Sequence, residues 1–253
     1  MKSFKQIAAL DVILLLPVMA SAEWGRTVGA WDTRLPNKGK TQVALWGSYS
    51  KTEVANADFA DKYATFDMIY GISDKWSAYI SPSFYSWKLD GGGSESGLSD
   101  TMLQTTYRFR DEAVDNFDLA VMGKVLLPTG DEDKGLGNGG FEPGGKLLAS
   151  KTFGPIIAVA NLDLTAIPSA DKGENDFVVS STLEGVYPLN DKLSLNTAVF
   201  TETSRIDGGN TDLDLGFGSK YALKGQMFLA GMIYKCLSES STWGLDLAVG
   251  VEF

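Results

Sequence analysis

The sequence predicts an all-β fold: a closed, transmembrane antiparallel β-barrel of about twelve strands, with both termini on the periplasmic side. Three observations predict it. The chain ends in a strand of period two. Segments of about ten alternating residues recur along its length. The connectors between them alternate between short turns and longer loops.

The C-terminal strand carries Trp243, Leu245, Leu247, Val249, Val251 and Phe253 on one face. Gly244, Asp246, Ala248, Gly250 and Glu252, all small or acidic, fall on the other. A period of two gives a strand one greasy face and one polar face. Outer-membrane barrels end in this way on an outward aromatic, and their assembly machinery reads the final strand. Val249, Val251 and Phe253 are therefore the candidate assembly signal. The fuller form of that signal has Gly where this chain has Ala248. A soluble sandwich strand would alternate in the same way, so the other observations must decide.

At the opposite end, Lys2 and Lys5 precede an apolar run from Ile7 to Val18, interrupted only by Asp11. Ala20-Ser21-Ala22 is an A-x-A cleavage site, so residues 1–22 read as a signal peptide and the mature chain starts at Glu23. The apolar run is too short to span a bilayer. Residues 23–253 then read as one barrel domain, with the aperiodic stretch Glu23 to Lys40 as an N-terminal lead-in.

The strand cores follow in order: Thr41–Lys51, Lys62–Gly71, Trp76–Leu89, Leu98–Arg110, Phe117–Leu127, Phe141–Phe153, Ile156–Ile167, Asp176–Tyr187, Leu193–Thr203, Thr211–Tyr221, Gln226–Leu237 and Trp243–Phe253. Short connectors are Ser73-Asp74-Lys75, Asp111 to Asn116, Gly154-Pro155, Asn190-Asp191 and Lys224-Gly225. Longer ones are Glu53 to Asp61, Asp90 to Gly97, Pro128 to Gly140, Pro168 to Asn175, Ser204 to Asn210 and Ser238 to Thr242. Short periplasmic turns opposite longer external loops are the outer-membrane arrangement. Even-numbered strands then run toward the periplasm, and they end in Tyr70, Tyr107 and Phe109, Phe153, Tyr187, Tyr221 and Phe253. These aromatics read as the lower girdle, where an amphipathic ring sits between lipid tails and headgroups.

Composition excludes several functions. The chain has 253 residues with Lys+Arg 22, Asp+Glu 32 and no His. Removing Lys2, Lys5 and Asp11 with the signal leaves 20 bases against 31 acids, a balance of −11. Nucleic acid needs a basic footprint and is not a partner. Without His there is no Ser-His-Asp or Cys-His arrangement and no imidazole zinc site. Cys236 is the single Cys and cannot form an internal disulfide. Asp131-Glu132-Asp133 could offer oxygen ligands to a cation, but charged loop tips are usually just solvated. Gly135 to Gly140 lacks the Gly-Lys-Ser/Thr ending of a phosphate loop. The sequence thus predicts no cofactor, no metal and no catalysis.

Opposite the lipid-facing parity lie Asp67, Arg108, Asp118, Lys124, Asp163, Glu184, Asn196, Glu202, Asp212, Asp214, Lys220, Asp246 and Glu252. In a barrel these point into the lumen. They read either as the charged lining of a pore or as ion pairs and hydrogen bonds that fill it.

Two stretches carry a more specific resemblance. One is Gly97-Leu-Ser-Asp-Thr-Met-Leu-Gln-Thr-Thr-Tyr-Arg-Phe109. The other is Gly123-Lys-Val-Leu-Leu-Pro-Thr-Gly-Asp131, continued by Gly135-Leu-Gly137 and by Leu148-Ala-Ser-Lys-Thr-Phe-Gly-Pro155. Together they resemble the outer-membrane family labelled MetA-pathway of phenol degradation. Its members carry G-x-G-D-x-x-L-x-x-K-Y-R, then L-P-T-G-D, G-L-G and S-K-x-F-G-P. This chain departs from that pattern at Ser99 and Thr106. The resemblance implies a barrel that moves small, often hydrophobic or aromatic compounds across the outer membrane of a Gram-negative bacterium. From the residues alone the motif reads as architectural: Pro128 ends a strand, Gly130 permits a turn, and Asp131 can bond nearby backbone.

The expected function is a channel for passive passage of small solutes. Its expected partners are outer-membrane lipids and lipopolysaccharide, the barrel assembly machinery and the solute. The alternative is a non-conducting surface barrel whose loops bind a partner or lipopolysaccharide.

Overall fold

Each alternating segment becomes a strand. The computed structural model describes residues 27–54, 57–170, 173–238 and 242–253; the signal-peptide reading lies outside them. Fourteen strand segments form twelve staves of a closed antiparallel barrel. The first two staves are β1 (Thr41–Val54) and β2 (Ala57–Ser73). The third is split into β3 (Trp76–Ser81) and β4 (Ser83–Leu89), and the fourth into β5 (Ser94–Leu98) and β6 (Thr101–Arg110). Then come β7 (Asp118–Leu127), β8 (Glu142–Phe153), β9 (Ile156–Ala166), β10 (Phe177–Pro188) and β11 (Leu193–Glu202). The last are β12 (Asp212–Ala222), β13 (Met227–Cys236) and β14 (Trp243–Glu252). Leu45 of β1 pairs with Val249 of β14 on one side and Phe66 of β2 on the other, which closes the wall.

Two differences from the sequence reading have physical causes. The third strand is interrupted because Pro82 has no N–H to give the ladder; its carbonyl still accepts from Phe66 N at 3.1 Å. The expected longer connectors at Glu53 to Asp61 and Asp90 to Gly97 are instead hairpins. β1 and β2 stay in register out to Val54↔Ala57, and β5 pairs with β4. Strand pairing continues there beyond the apolar belt, where the outward positions carry Asp58 and Lys62. Alternation of hydropathy fades although the ladder does not.

At the other end the connectors are tight, and we call this the turn end. Gly154-Pro155 joins β8 to β9 in a two-residue loop whose first position has φ 57°, which glycine adopts without strain. A one-turn helix, α1 (Glu112–Asp115), is capped by Asp111, which accepts from Ala113 N at 3.1 Å.

The wall is greasy outside and polar inside. Leu162, Leu183, Phe217, Ile233 and Leu247 are more than half exposed. Asp67, Asp163, Glu184 and Asn196 are buried. In water such a distribution would expose a continuous apolar belt at a large cost, while lipid covers it and the closed ladder leaves no edge around the belt. A soluble sandwich would sort these residues the other way. The centre of the barrel is packed, and its core includes the described part of the N-terminal lead-in.

Candidate functional site

Residues 27–36 lie inside the lumen toward the turn end. Val28, Ala30, Asp32 and Thr33 are all at most 3 % exposed. Of the polar wall residues around this segment, Glu184, Asn196 and Asp118 are among those expected to face inward, whereas Asn161 and Ser150 are not. The Glu184 carboxylate accepts from Thr27 Oγ1, from Gly29 N at 3.3 Å and from Asn196 Nδ2 at 2.6 Å. The Asn161 side chain accepts from Trp31 N at 2.8 Å and donates to Trp31 O at 2.9 Å, doing for one residue what a neighbouring strand would do. Thr33 shares a 2.6 Å hydrogen bond with Ser150, whose hydroxyl also reaches Asp118 at 3.2 Å. Asp32 accepts from Arg34 Nε at 2.7 Å, so the segment carries its own ion pair inward.

Apolar contacts complete the plug. Val28 packs with Trp46, Ala198, Phe228, Ala230 and Met232. Trp31 meets the edge of Tyr79 with ring centroids 5.0 Å apart, and the Lys146 ammonium lies 5.8 Å from its ring centre. A Cβ on Gly29 would stand 3.0 Å from both Ala198 Cβ and Met232 Cε. Space for this segment comes from small inward residues that neighbour one another across the wall: Ala198↔Gly216 and Ala230↔Ala248. That run of small residues on the inward parity is the signal by which the sequence could have placed the lead-in inside.

Described residues line two cavities beside this segment and beyond it. One, of about 480 Å³, is walled by Trp31, Tyr63, Tyr79, Tyr85 and Leu136 with serine hydroxyls between them. The other, of about 460 Å³, is faced by Asp61, Glu202, Asp212, Asp214 and Asp246. The Tyr63 and Tyr85 rings stack at 4.3 Å, and Tyr63 borders both spaces. Within the acidic cavity Ser50 donates to Asp61 at 2.7 Å and Ser238 to Asp212 at 3.0 Å. The bases are engaged elsewhere. Asp163 takes both Lys124 at 2.7 Å and Lys146 at 3.1 Å, and Arg205 bridges Glu142 at 2.7 Å and Glu174 at 3.5 Å.

The loop from 128 to 141 folds over the aromatic cavity. Asp100, in the break between β5 and β6, accepts from Gly130 N at 2.9 Å and Asn138 N at 2.7 Å. Thr129 donates to Ser99 O at 2.8 Å, and Trp87 Nε1 donates to Lys134 O at 2.9 Å. Leu136 is buried at the tip of this fold. A side chain on Gly137 would collide with Asp100, and one on Gly130 with the Leu136 carbonyl. The two motif stretches are therefore one cluster in space. The carboxylate that binds backbone there is Asp100. Asp131, assigned that part from the sequence, instead pairs with Lys134 at 3.0 Å. β5 pairs only with β4, so its other edge faces this loop, and the wall has a notch that the loop covers.

The remaining inward candidates sort by height. Glu252 accepts from Gln42 at 2.7 Å, and Asp67 accepts from Tyr79 at 2.5 Å and Ser81 at 2.8 Å. Arg108 lies at the turn end, 3.2 Å from Asp111. Lys220 lies with its ammonium 4.9 Å from the centre of the Phe228 ring. Cys236 is buried beside Ser238 at 2.9 Å. Tyr70, Tyr107, Phe109, Phe153, Tyr187, Tyr221 and Phe253 are all exposed on the outer surface near the turn end. Phe253 and Thr41 exchange two backbone hydrogen bonds of 3.0 Å, which holds the last residue in the closing seam.

The profile of the family described as "Putative MetA-pathway of phenol degradation" matches residues 32–246. Among solved structures, the chain is similar to the COG4313 outer membrane channel from Pseudomonas putida F1, with a TM-score of 0.74 at 16 % identity over 88 % of this chain and 98 % of that one. It is also similar to the KdgM porin, with a TM-score of 0.56 at 6 % identity over 83 % and 99 %. A third likeness is to the translocator domain of autotransporter NalP from Neisseria meningitidis, with a TM-score of 0.52 at 12 % identity over 87 % and 90 %. No curated protein matches the sequence.

Proposed function

The chain belongs to the family described as MetA-pathway of phenol degradation, and on that premise we propose that it is an outer-membrane channel for small hydrophobic or aromatic solutes. Both termini lie in the periplasm, the turn end faces inward and the loop end faces the outside. The observation that carries this reading is the aromatic cavity of about 480 Å³ held between the plug and the covering loop. Tyrosine and tryptophan faces bind flat apolar rings, and the hydroxyls between them bind a phenolic oxygen. The greasy outer belt and the likeness to an outer membrane channel support the location. The charged residues of the lower lumen act in this reading as the framework that seats the plug. They do not form an open ring.

Uptake of a phenolic or monoaromatic probe into liposomes carrying the folded chain tests it. Uptake above that of protein-free liposomes is expected, and deletion of residues 27–36 should raise both uptake and ion conductance. Correctly folded protein that moves neither probe nor ions, with or without those residues, would overturn the reading.

The packing of residues 27–36 favours a second reading, a surface barrel that does not conduct and binds a partner through its loops. Deleting Asp131 to Gly139 separates the two. Loss of binding with unchanged flux supports the second reading; altered flux supports the first.

A further inference from the structure

The outer wall is not uniform at the loop end. Four lysines project outward there: Lys51 on β1, Lys62 on β2, Lys88 on β4 and Lys235 on β13. Cα pairing places Lys235, Trp243, Lys51, Ala60 and Lys88 on one continuous line across five adjacent strands. Lys62 is one step toward the belt, opposite Tyr49, with its ammonium 6.0 Å from the centre of that ring. The outward positions of β7 to β12 carry no lysine or arginine at this end among the described residues. Lys51 is 2.6 Å from Asp58, and Lys88 is 3.2 Å from Asp90. Lys62 and Lys235 have no carboxylate within ion-pair distance among the described residues.

Below the lysines the same face turns apolar and concave. A groove of about 440 Å³ runs over Gly47 and Ala64, walled by Phe84, Leu245 and Leu247, with Lys62 at its upper end. Directly above it is a polar recess of about 430 Å³ that holds Lys51, Lys62 and Lys88 with Asp58 and Asp90. The two spaces share Tyr49, Lys62 and Ser86. A cationic recess stacked on an apolar groove fits an amphiphile with an anionic head and acyl chains lying along the wall.

We propose that this face is a binding site for a phosphorylated glycolipid of the outer leaflet, the lipid A moiety of lipopolysaccharide, with a phosphate on Lys51 and Lys62 and an acyl chain in the groove over Gly47. The assignment rests on the orientation given under Proposed function, since it is the loop end that meets the outer leaflet. It is independent of what crosses the lumen.

The test uses the full chain, refolded in detergent and checked by heat-modifiable gel mobility. Diphosphoryl lipid A is titrated and binding is read by native mass spectrometry. Phosphatidylglycerol and inorganic phosphate serve as comparison probes. Lipid A should bind more tightly than phosphatidylglycerol, and inorganic phosphate should not compete at equal concentration. Lys51→Gln and Lys62→Gln should each weaken lipid A binding roughly fivefold, the effect of one basic residue near an anionic surface. Gly47→Leu should weaken it at least as much, because a Cβ there meets open space and the larger side chain fills the groove without disturbing the wall. Lipid A binding unchanged in all three variants would overturn the proposal. So would phosphatidylglycerol binding equally well, which would place this end at the inner leaflet. A chain that binds lipid A as described but moves no aromatic probe would overturn the transport reading and leave this one standing.

Discussion

Asp100 connects the two most specific sequence stretches of the chain. One carboxylate accepts two backbone N–H groups from a loop thirty and thirty-eight positions away, at 2.9 and 2.7 Å. Hydrogen bonds to a charged acceptor are stronger than neutral ones, and the loop offers few other contacts to replace them. The glycines at 130 and 137 allow the close approach, so the motif encodes a contact rather than a chemical step. Asp100→Ala should cost the closed loop about 2 kcal/mol, which is roughly a thirtyfold rise in its open population. Trypsin cleavage after Lys134, followed on the folded barrel, reads that population. A cleavage rate equal to that of the parent chain would show that Thr129, Trp87 and Leu136 hold the loop without Asp100. The sequence reading gave the backbone-binding part to Asp131 because that residue adjoins the turn. A carboxylate far along the chain leaves no local pattern, and only the pairing of the strands brings it there.

At the scale of elements, the strands were legible because lipid outside and polar groups inside impose a strict period of two. All twelve staves stand where the alternation placed them, within a few residues at each end. The hairpin extensions were not legible, since beyond the belt both faces see water and the period loses its meaning. The lead-in was not legible as a plug either. Its hydrogen bonds go to side chains such as Glu184 and Asn161, which bear no register with it. The helical turn α1 offers a sharper local test. Asp115 receives the Asp111 N–H at 3.2 Å and pairs with Arg110 at 2.7 Å. These contacts, the backbone one first, hold its carboxyl below the ordinary value of 3.8. A depressed acid stabilises the folded turn above its unfolded pKa and loses that contribution as pH falls through the folded one. Amide exchange in residues 111–117, corrected for intrinsic rate, should therefore show the turn opening below about pH 4. Asp115→Asn should abolish the pH dependence, and the same opening in that variant would assign it to another group.

For the whole molecule, the distribution of charge matters more than its sum. The chain carries an excess of acids, but inside the barrel the bases are spent against Asp163, Glu142 and Glu174, or lie beside the plug. What is left facing open space is the acidic cavity with Asp61, Glu202, Asp212, Asp214 and Asp246. Carboxylates on low-dielectric walls raise the local concentration of cations. A barrel opened by deletion of residues 27–36 should accordingly favour potassium over chloride, seen as the sign of the zero-current potential across a planar bilayer in a salt gradient. Replacing Asp61, Asp212, Asp214 and Asp246 by Asn should move that potential most of the way to zero while leaving the conductance at high salt nearly unchanged, because screening removes the field but not the passage. A potential that stays put after the four substitutions would mean that ions cross by the aromatic side of the lumen and that the acids serve only to hold the wall together.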